Sequence, residues 1–164
     1  MSCAKSDYIK PNMLSGKTVF WDIDGTLAAF RFNGHICSPD EMHSSVTIDE
    51  IEDHIFLTRK PSKFMQRVIE NSYAKKHVVI GHCICNTEII DKHMWIDKHF
   101  PMIEERIFIP HTVSKAEKLI EYCNKKSIPT SKAVFVDDII DYLREAESMG
   151  ISSWHISSFL DYFE

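Results

Sequence analysis

The chain is 164 residues long, which suits one domain with a real core and leaves room only for a small extra module. A net charge of -5 and an isoelectric point near 6.0 provide no general attraction for nucleic acid, which excludes a polymer substrate held by charge but not a small anion attracted locally. Five cysteines without regular spacing argue against a disulfide framework, residues 1–7 are polar, and no apolar run reaches the ~20 residues of a membrane span, so a soluble cytoplasmic protein is expected.

Residues 1–16, punctuated by Pro11, Asn12 and Gly16, read as loop or short turn. Thr18, Val19, Phe20 and Trp21 form a β-branched and aromatic run, a buried strand that leads into Asp22 and then Asp24, Gly25 and Thr26. Residues 27–60, with Gly34, Pro39, several serines and histidines and a weakly alternating stretch at 43–48, have the character of an insertion; Ile55, Phe56 and Leu57 form a short apolar run within it. Pro61 suits a helix start, with Phe64, Met65, Val68 and Ile69 along one face. A second core strand is predicted over 75–81 and a helix over 87–100, with Ile89, Ile90, Trp95 and Ile96 as its apolar residues and Pro101 as its end. A short strand over 105–109 leads to a helix that carries Lys115 and runs to about 126. Ala133 to Val136 form another strand, running into Asp137 and Asp138, and the helix over 139–149 stops at Gly150. A last strand over 151–156 and a short helix over 157–164 close the chain. Alternating strands and helices predict an α/β fold with right-handed crossovers and a mostly parallel sheet.

The chemistry collects at strand ends, where open α/β sheets hold their ligands. Asp22 and Asp24 repel each other unless a cation or shared proton relieves them, and hard carboxylate oxygens suit Mg²⁺. Asp22 is a candidate nucleophile and Asp24 a candidate proton carrier. Gly25 permits a sharp turn with exposed N–H groups, as a phosphate-binding loop has; an ordinary Asp/Gly turn is the plain alternative. Asp137 and Asp138 can converge with the first pair on one metal, or simply cap a helix. Lys115 can bring a cation to the same rim, although a solvated helix face also explains it and Lys118 and Lys132 lie near.

The order Asp22-Ile23-Asp24-Gly25-Thr26, then Lys115, then Asp137-Asp138 resembles the haloacid dehalogenase-like hydrolase superfamily over most of the chain. Within it the pattern is most like the 5′(3′)-deoxyribonucleotidase-like phosphatases, partly through the segment from Trp95 to Pro101. The resemblance implies a Rossmann-like three-layer sandwich over 1–164 with a small cap insertion at about 28–60. It implies that Asp22 attacks phosphorus to form an aspartyl-phosphate, while Asp24 protonates the leaving oxygen and later activates water. Mg²⁺ would be held by the Asp22 carboxylate, the Asp24 backbone carbonyl and Asp137, with Asp138 in contact directly or through water. Lys115 would neutralise phosphoryl oxygens, and Gly25 and Thr26 would line the phosphate. The implied activity is Mg²⁺-dependent hydrolysis of a small phosphorylated metabolite, a nucleoside monophosphate being one candidate.

One element departs from the family. The usual Ser or Thr after the second strand is replaced by Gly81, followed by His82 and Cys83, so backbone N–H groups or His82 would have to bind the phosphoryl group; glycine there would allow close approach. A non-catalytic phosphate-binding or regulatory protein is the alternative that Gly81 favours and the intact Asp22, Asp24, Lys115 and Asp137 set opposes. A receiver-like phosphoacceptor would follow a different chain order, and a dehalogenase would have no leaving oxygen for Asp24 to protonate. His77, His82, Cys83, Cys85, His93 and His99 repeat no zinc-finger spacing. Phe30, Arg31 and Phe32 offer an aromatic face and a guanidinium to a base or phosphate, with cap packing as the plainer role.

Overall fold

The computed structural model describes residues 8–28 and 48–163. Five strands, β1 (Thr18–Trp21), β2 (Lys76–His82), β3 (Glu105–Ile109), β4 (Ala133–Asp137) and β5 (Ser152–His155), form one sheet in the order β3-β2-β1-β4-β5. Every neighbouring pair is parallel. Parallel pairs need crossovers, and helices supply them. Between β1 and β2 lie α1 (Ile48–Glu52), α2 (Ile55–Thr58) and α3 (Lys63–Glu70); α4 (Asn86–His99), α5 (Lys115–Lys125) and α6 (Ile140–Ser148) make the later three crossovers. Both α1 and α2 lie against α4.

Strand alternation divides the core into two layers. Val19, Trp21, Val79 and Val136 pack with Met65, Val68, Trp95 and Ile96. Phe20, Ile80 and Phe135 pack on the other side with Ala116, Leu119, Leu143 and Ala146. Asp22 continues the side of Phe20, toward α5. The chain builds outward from β1 to β3 and then crosses to β4, so the crevice at the C-terminal ends of β1 and β4 is the topological switch point. The first turns of α3 and α5 are each closed by a serine, Ser62 Oγ accepting from Met65 N and Ser114 Oγ from Glu117 N.

The alternation expected from sequence is present, with three local differences. Pro61 stands before the Ser62 cap, where it bridges Ala28, and is not in the first turn of α3. The inward side of α4 is Glu88, Asp91, Lys92, Trp95 and Ile96, whereas Ile90 is exposed and Ile89 half-buried, because charged groups on this side find buried partners. The terminal helix is a single 3₁₀ turn, Ile156–Phe159, fixed by Ile9 N donating to Ser158 O. The stretch at 43–47 and the Phe30-Arg31-Phe32 segment lie outside the described residues. No helix among the described residues is long and apolar enough to cross a membrane.

His77 accepts from Trp21 Nε1 through Nδ1 at 3.0 Å and, in the resulting tautomer, donates from Nε2 to Ser72 Oγ at 3.0 Å. Burial pushes its imidazole from 6.5 down to about 4. Below pH 6.5 the unfolded chain therefore binds a proton that the folded chain refuses, and the His77 contribution, complete above that pH, is lost toward pH 4. His77→Gln is expected to be less stable than wild type at pH 7 but to lose less on acidification to pH 5. Denaturant titrations at the two pH values check this, and an equal loss in both proteins contradicts it.

Candidate active site

The β1–β4 register pairs Trp21 with Val136, which brings the next residues, Asp22 and Asp137, side by side. Asp22 N donates to Val136 O at 2.9 Å, so the nucleophile candidate is anchored to the sheet by its own backbone. Lys115 opens α5 and is buried. Its Nζ donates to Asp22 Oδ1 at 2.6 Å and to Asp137 Oδ2 at 2.8 Å, above the Tyr142 ring at 4.9 Å. The other Asp137 oxygen accepts from Ile139 N at 2.8 Å.

Asp22, Asp137 and Asp138 each offer an oxygen, all within 4.8 Å of one another. Burial pushes the Asp22 carboxyl up to about 7 despite Lys115, with Asp137 and Asp24 adding repulsion. Burial also raises Asp137 and Asp138. One ammonium cannot balance three clustered carboxylates, and a small divalent cation that prefers oxygen ligands fits the excess charge. Among the described residues this is the one cluster of three or more such groups; the histidines and cysteines form none.

Gly25 is required by two facts. Its φ is +90°, and a Cβ added there would lie 2.1 Å from Asp138 Oδ2. Asp138 is steadied from behind, where His155 Nε2 meets its carbonyl at 3.1 Å. The exposed N–H groups expected of this turn are not free: Gly25 N donates to Ala28 O at 3.1 Å and Thr26 N to Ile23 O at 3.2 Å. The turn closes on itself, as tight turns do. The buried Thr26 hydroxyl has no hydrogen-bond partner and keeps its donor.

Gly81 and His82 present no side-chain donor to the site. Gly81 lies inside β2 on the side away from Asp22, where a Cβ would make ordinary contacts with Ile23 at 3.6 Å and Phe108 at 3.7 Å. Its φ is not among the positive ones, so no special angle explains the glycine. His82 shares the side of Asp22, but its Nε2 donates to Val113 O at 2.9 Å. Burial, with Lys115 and Lys92 nearby, pushes it from 6.5 down to about 4; the neutral ring then has only an acceptor left and offers an anion nothing. Gly81→Ser is accordingly expected to leave turnover within about threefold of wild type and to cost about 1 kcal/mol by burying a hydroxyl in apolar surroundings. A rate increase of about tenfold or more, toward what one added oxyanion donor contributes, would instead mean that the hydroxyl reaches the substrate.

Asp24 stands in a network that the sequence pattern does not announce. Arg59 Nη1 pairs with Asp24 Oδ1 and Lys92 Nζ lies 2.7 Å from Asp24 Oδ2. Lys92 also lies 2.7 Å from Glu88 Oε1 and donates to His82 O at 2.9 Å. Burial alone would raise Asp24, but Lys92 and Arg59 outweigh it and hold the carboxyl below its ordinary range. Asp24 is thus held as the carboxylate, a form that can take up a proton. The i,i+4 pair Glu88 and Lys92, on the same helical side as Trp95 and Ile96, is the signal that a reading by periodicity contains.

The strand order and the carboxylates at the β1–β4 crevice define an α/β protein suited to hold a cation at its strand ends. No protein-family model matches the chain, and no curated protein matches it. Solved structures do. A haloacid dehalogenase-like family hydrolase from Streptococcus pneumoniae is similar at a TM-score of 0.56 and 11% identity, over 90% of this chain and 91% of its own. A subfamily IA hydrolase of that superfamily from Geobacter sulfurreducens gives 0.56 and 11%, over 88% and 89%. A family enzyme from Bacteroides thetaiotaomicron, solved with magnesium and inorganic phosphate, gives 0.55 and 13%, over 86% and 94%. The chain has the fold of the haloacid dehalogenase-like hydrolases.

Proposed function

We propose that this protein is a Mg²⁺-dependent phosphatase that hydrolyses a small phosphomonoester through an aspartyl-phosphate on Asp22. The observation that carries the reading is Lys115 Nζ bridging Asp22 and Asp137 beside Asp138, a nucleophile, a cation and a metal-ligand set on one rim. Asp22 forms the bond to phosphorus as the bond to the leaving oxygen breaks, and that oxygen takes a proton that Asp24 relays from solvent; water then cleaves the acyl phosphate, giving its proton to Asp24. Lys115 restrains Asp22 and balances charge on the phosphoryl oxygens. Mg²⁺, held by Asp22, Asp137 and Asp138, would supply further charge stabilisation when bound. The insertion at about 28–60, with α1 and α2 against α4, is the cap in this reading. The proposed substrate is a small phosphorylated metabolite, nucleoside monophosphates included, and the thiols of Cys83, Cys85 and Cys123, all free, fit a cytoplasmic setting.

A second reading, a phosphate-binding protein without turnover, is favoured by one observation: neither Gly81 nor His82 presents a side-chain donor in place of the usual hydroxyl. A phosphate-release screen over sugar phosphates, nucleoside monophosphates and nitrophenyl phosphate, with Mg²⁺ and with EDTA, separates the two. Release that EDTA stops and Mg²⁺ restores supports the enzyme, with nitrophenyl phosphate fastest because its leaving group needs least protonation. Calorimetric binding of inorganic phosphate without release from any ester supports the binder.

A further inference from the structure

We propose that Lys92 is a positioning residue: together with Arg59 it fixes the Asp24 carboxylate in the place from which it serves the reaction. The proposal rests on the phosphatase reading. An ammonium has three N–H donors, and Lys92, 1% exposed, has three oxygen partners for them: Asp24 Oδ2 at 2.7 Å, Glu88 Oε1 at 2.7 Å and the His82 carbonyl at 2.9 Å. Glu88 is itself fixed, its second oxygen accepting from Ile84 N at 2.7 Å.

Asp24 is gripped at both oxygens by cations from different elements. Lys92 comes from α4, and Arg59 from the segment between α2 and α3, whose carbonyl is tied to Trp95 Nε1 at 2.8 Å. The carboxylate cannot turn without breaking one ion pair. The Phe56 ring lies 4.7 Å from both cationic groups and gives them a common floor. The two buried lysines therefore serve different partners: Lys115 holds Asp22 and Asp137, and Lys92 holds Asp24, Glu88 and the end of β2. A buried ion network of this kind is a poor source of net stability, which points to placement as its use.

The test is Lys92→Met made in a Glu88→Gln background, so that no buried carboxylate is left unpaired, with nitrophenyl phosphate as substrate. The expected result is a fall in kcat of about 100-fold with KM within about twofold, since displacing a reacting group by about an ångström has that effect. When Asp24 is already Ala, the same substitution should cost less than about twofold, because Lys92 then has nothing to place. An equal loss in both backgrounds, or a raised KM with kcat kept, assigns Lys92 to packing or to substrate binding and overturns the proposal. Arg59→Gln gives the same comparison from the other oxygen of Asp24 if Lys92→Met does not fold. A wild-type protein that releases phosphate from no ester overturns the phosphatase reading and this proposal with it; wild-type turnover with an unaffected Lys92 variant overturns this proposal alone.

Discussion

Asp22→Asn is expected to lower phosphate release by about 10⁴-fold or more, the scale on which removal of a nucleophile acts, while the thermal midpoint in metal-free buffer is unchanged or raised. The amide keeps the shape of the side chain but has no carboxylate oxygen to attack phosphorus. Stability moves the other way because the wild-type charge is unfavourable where it sits. Burial and two neighbouring carboxylates raise the Asp22 carboxyl from 3.8 to about 7 in the folded protein. Between those values the folded chain holds a proton that the unfolded chain has lost, so this group favours folding less and less as pH rises toward 7. Asn removes the titration, and Lys115 keeps Asp137 as its partner. Wild-type turnover in the variant defeats the mechanism; a strongly lowered midpoint with turnover lost would make Asp22 a structural residue.

Gly25→Ala should also be damaging, although it removes no functional group. At φ +90° a side chain costs about 1–3 kcal/mol in backbone strain. The added carbon would also lie 2.6 Å from Asp138 Cγ as well as 2.1 Å from Oδ2, so the short Asp138 side chain has to swing away. That movement withdraws one of the three oxygens that lie within 4.8 Å of one another. The expected outcome is a requirement for about tenfold more Mg²⁺ and a fall in kcat of about 100-fold, the range for a lost supporting contact at a metal site. Adding Asp138→Ala to Gly25→Ala should then change little. Wild-type Mg²⁺ dependence in Gly25→Ala would show that the turn relaxes without disturbing Asp138.

The parts of the site that sequence reveals are those whose meaning is local. Asp22 and Asp137 follow apolar strands directly, so their place at a sheet rim follows from the pattern, and Lys115 begins a helix whose capping serine precedes it. Strand β3 has the boundaries that its composition predicts, 105–109. What stays hidden depends on pairs far apart in the chain. Nothing near Asp24 says that Arg59 and Lys92 will meet it, and charged residues on a helix read as solvated until a buried partner is seen. The inward side of α4 was obscured for that reason, since Glu88, Asp91 and Lys92 occupy it while Ile90 faces water. Gly81 is the opposite case. Its place in the motif suggests contact with phosphate, and strand alternation would aim a side chain added there at Ile23 and Phe108.

The central place of β1 also bears on how the molecule is made. This strand precedes the other four in the chain, yet its two neighbours are β2 and β4, so one edge stays unpaired until the chain has been synthesised well past Ala133. Lys115 is separated by 93 residues from Asp22 and by 22 from Asp137, so Asp22 gains its counter-ion only after a long loop closes. Loop closures of that span are slow entropic steps. A nascent chain stalled before β4 carries the apolar Val19, Phe20 and Trp21 on an open edge, a template for wrong pairing between chains. Such a chain lacks the Asp22, Lys115 and Asp137 cluster, so that cluster and protection from aggregation are acquired in the same late step of biosynthesis.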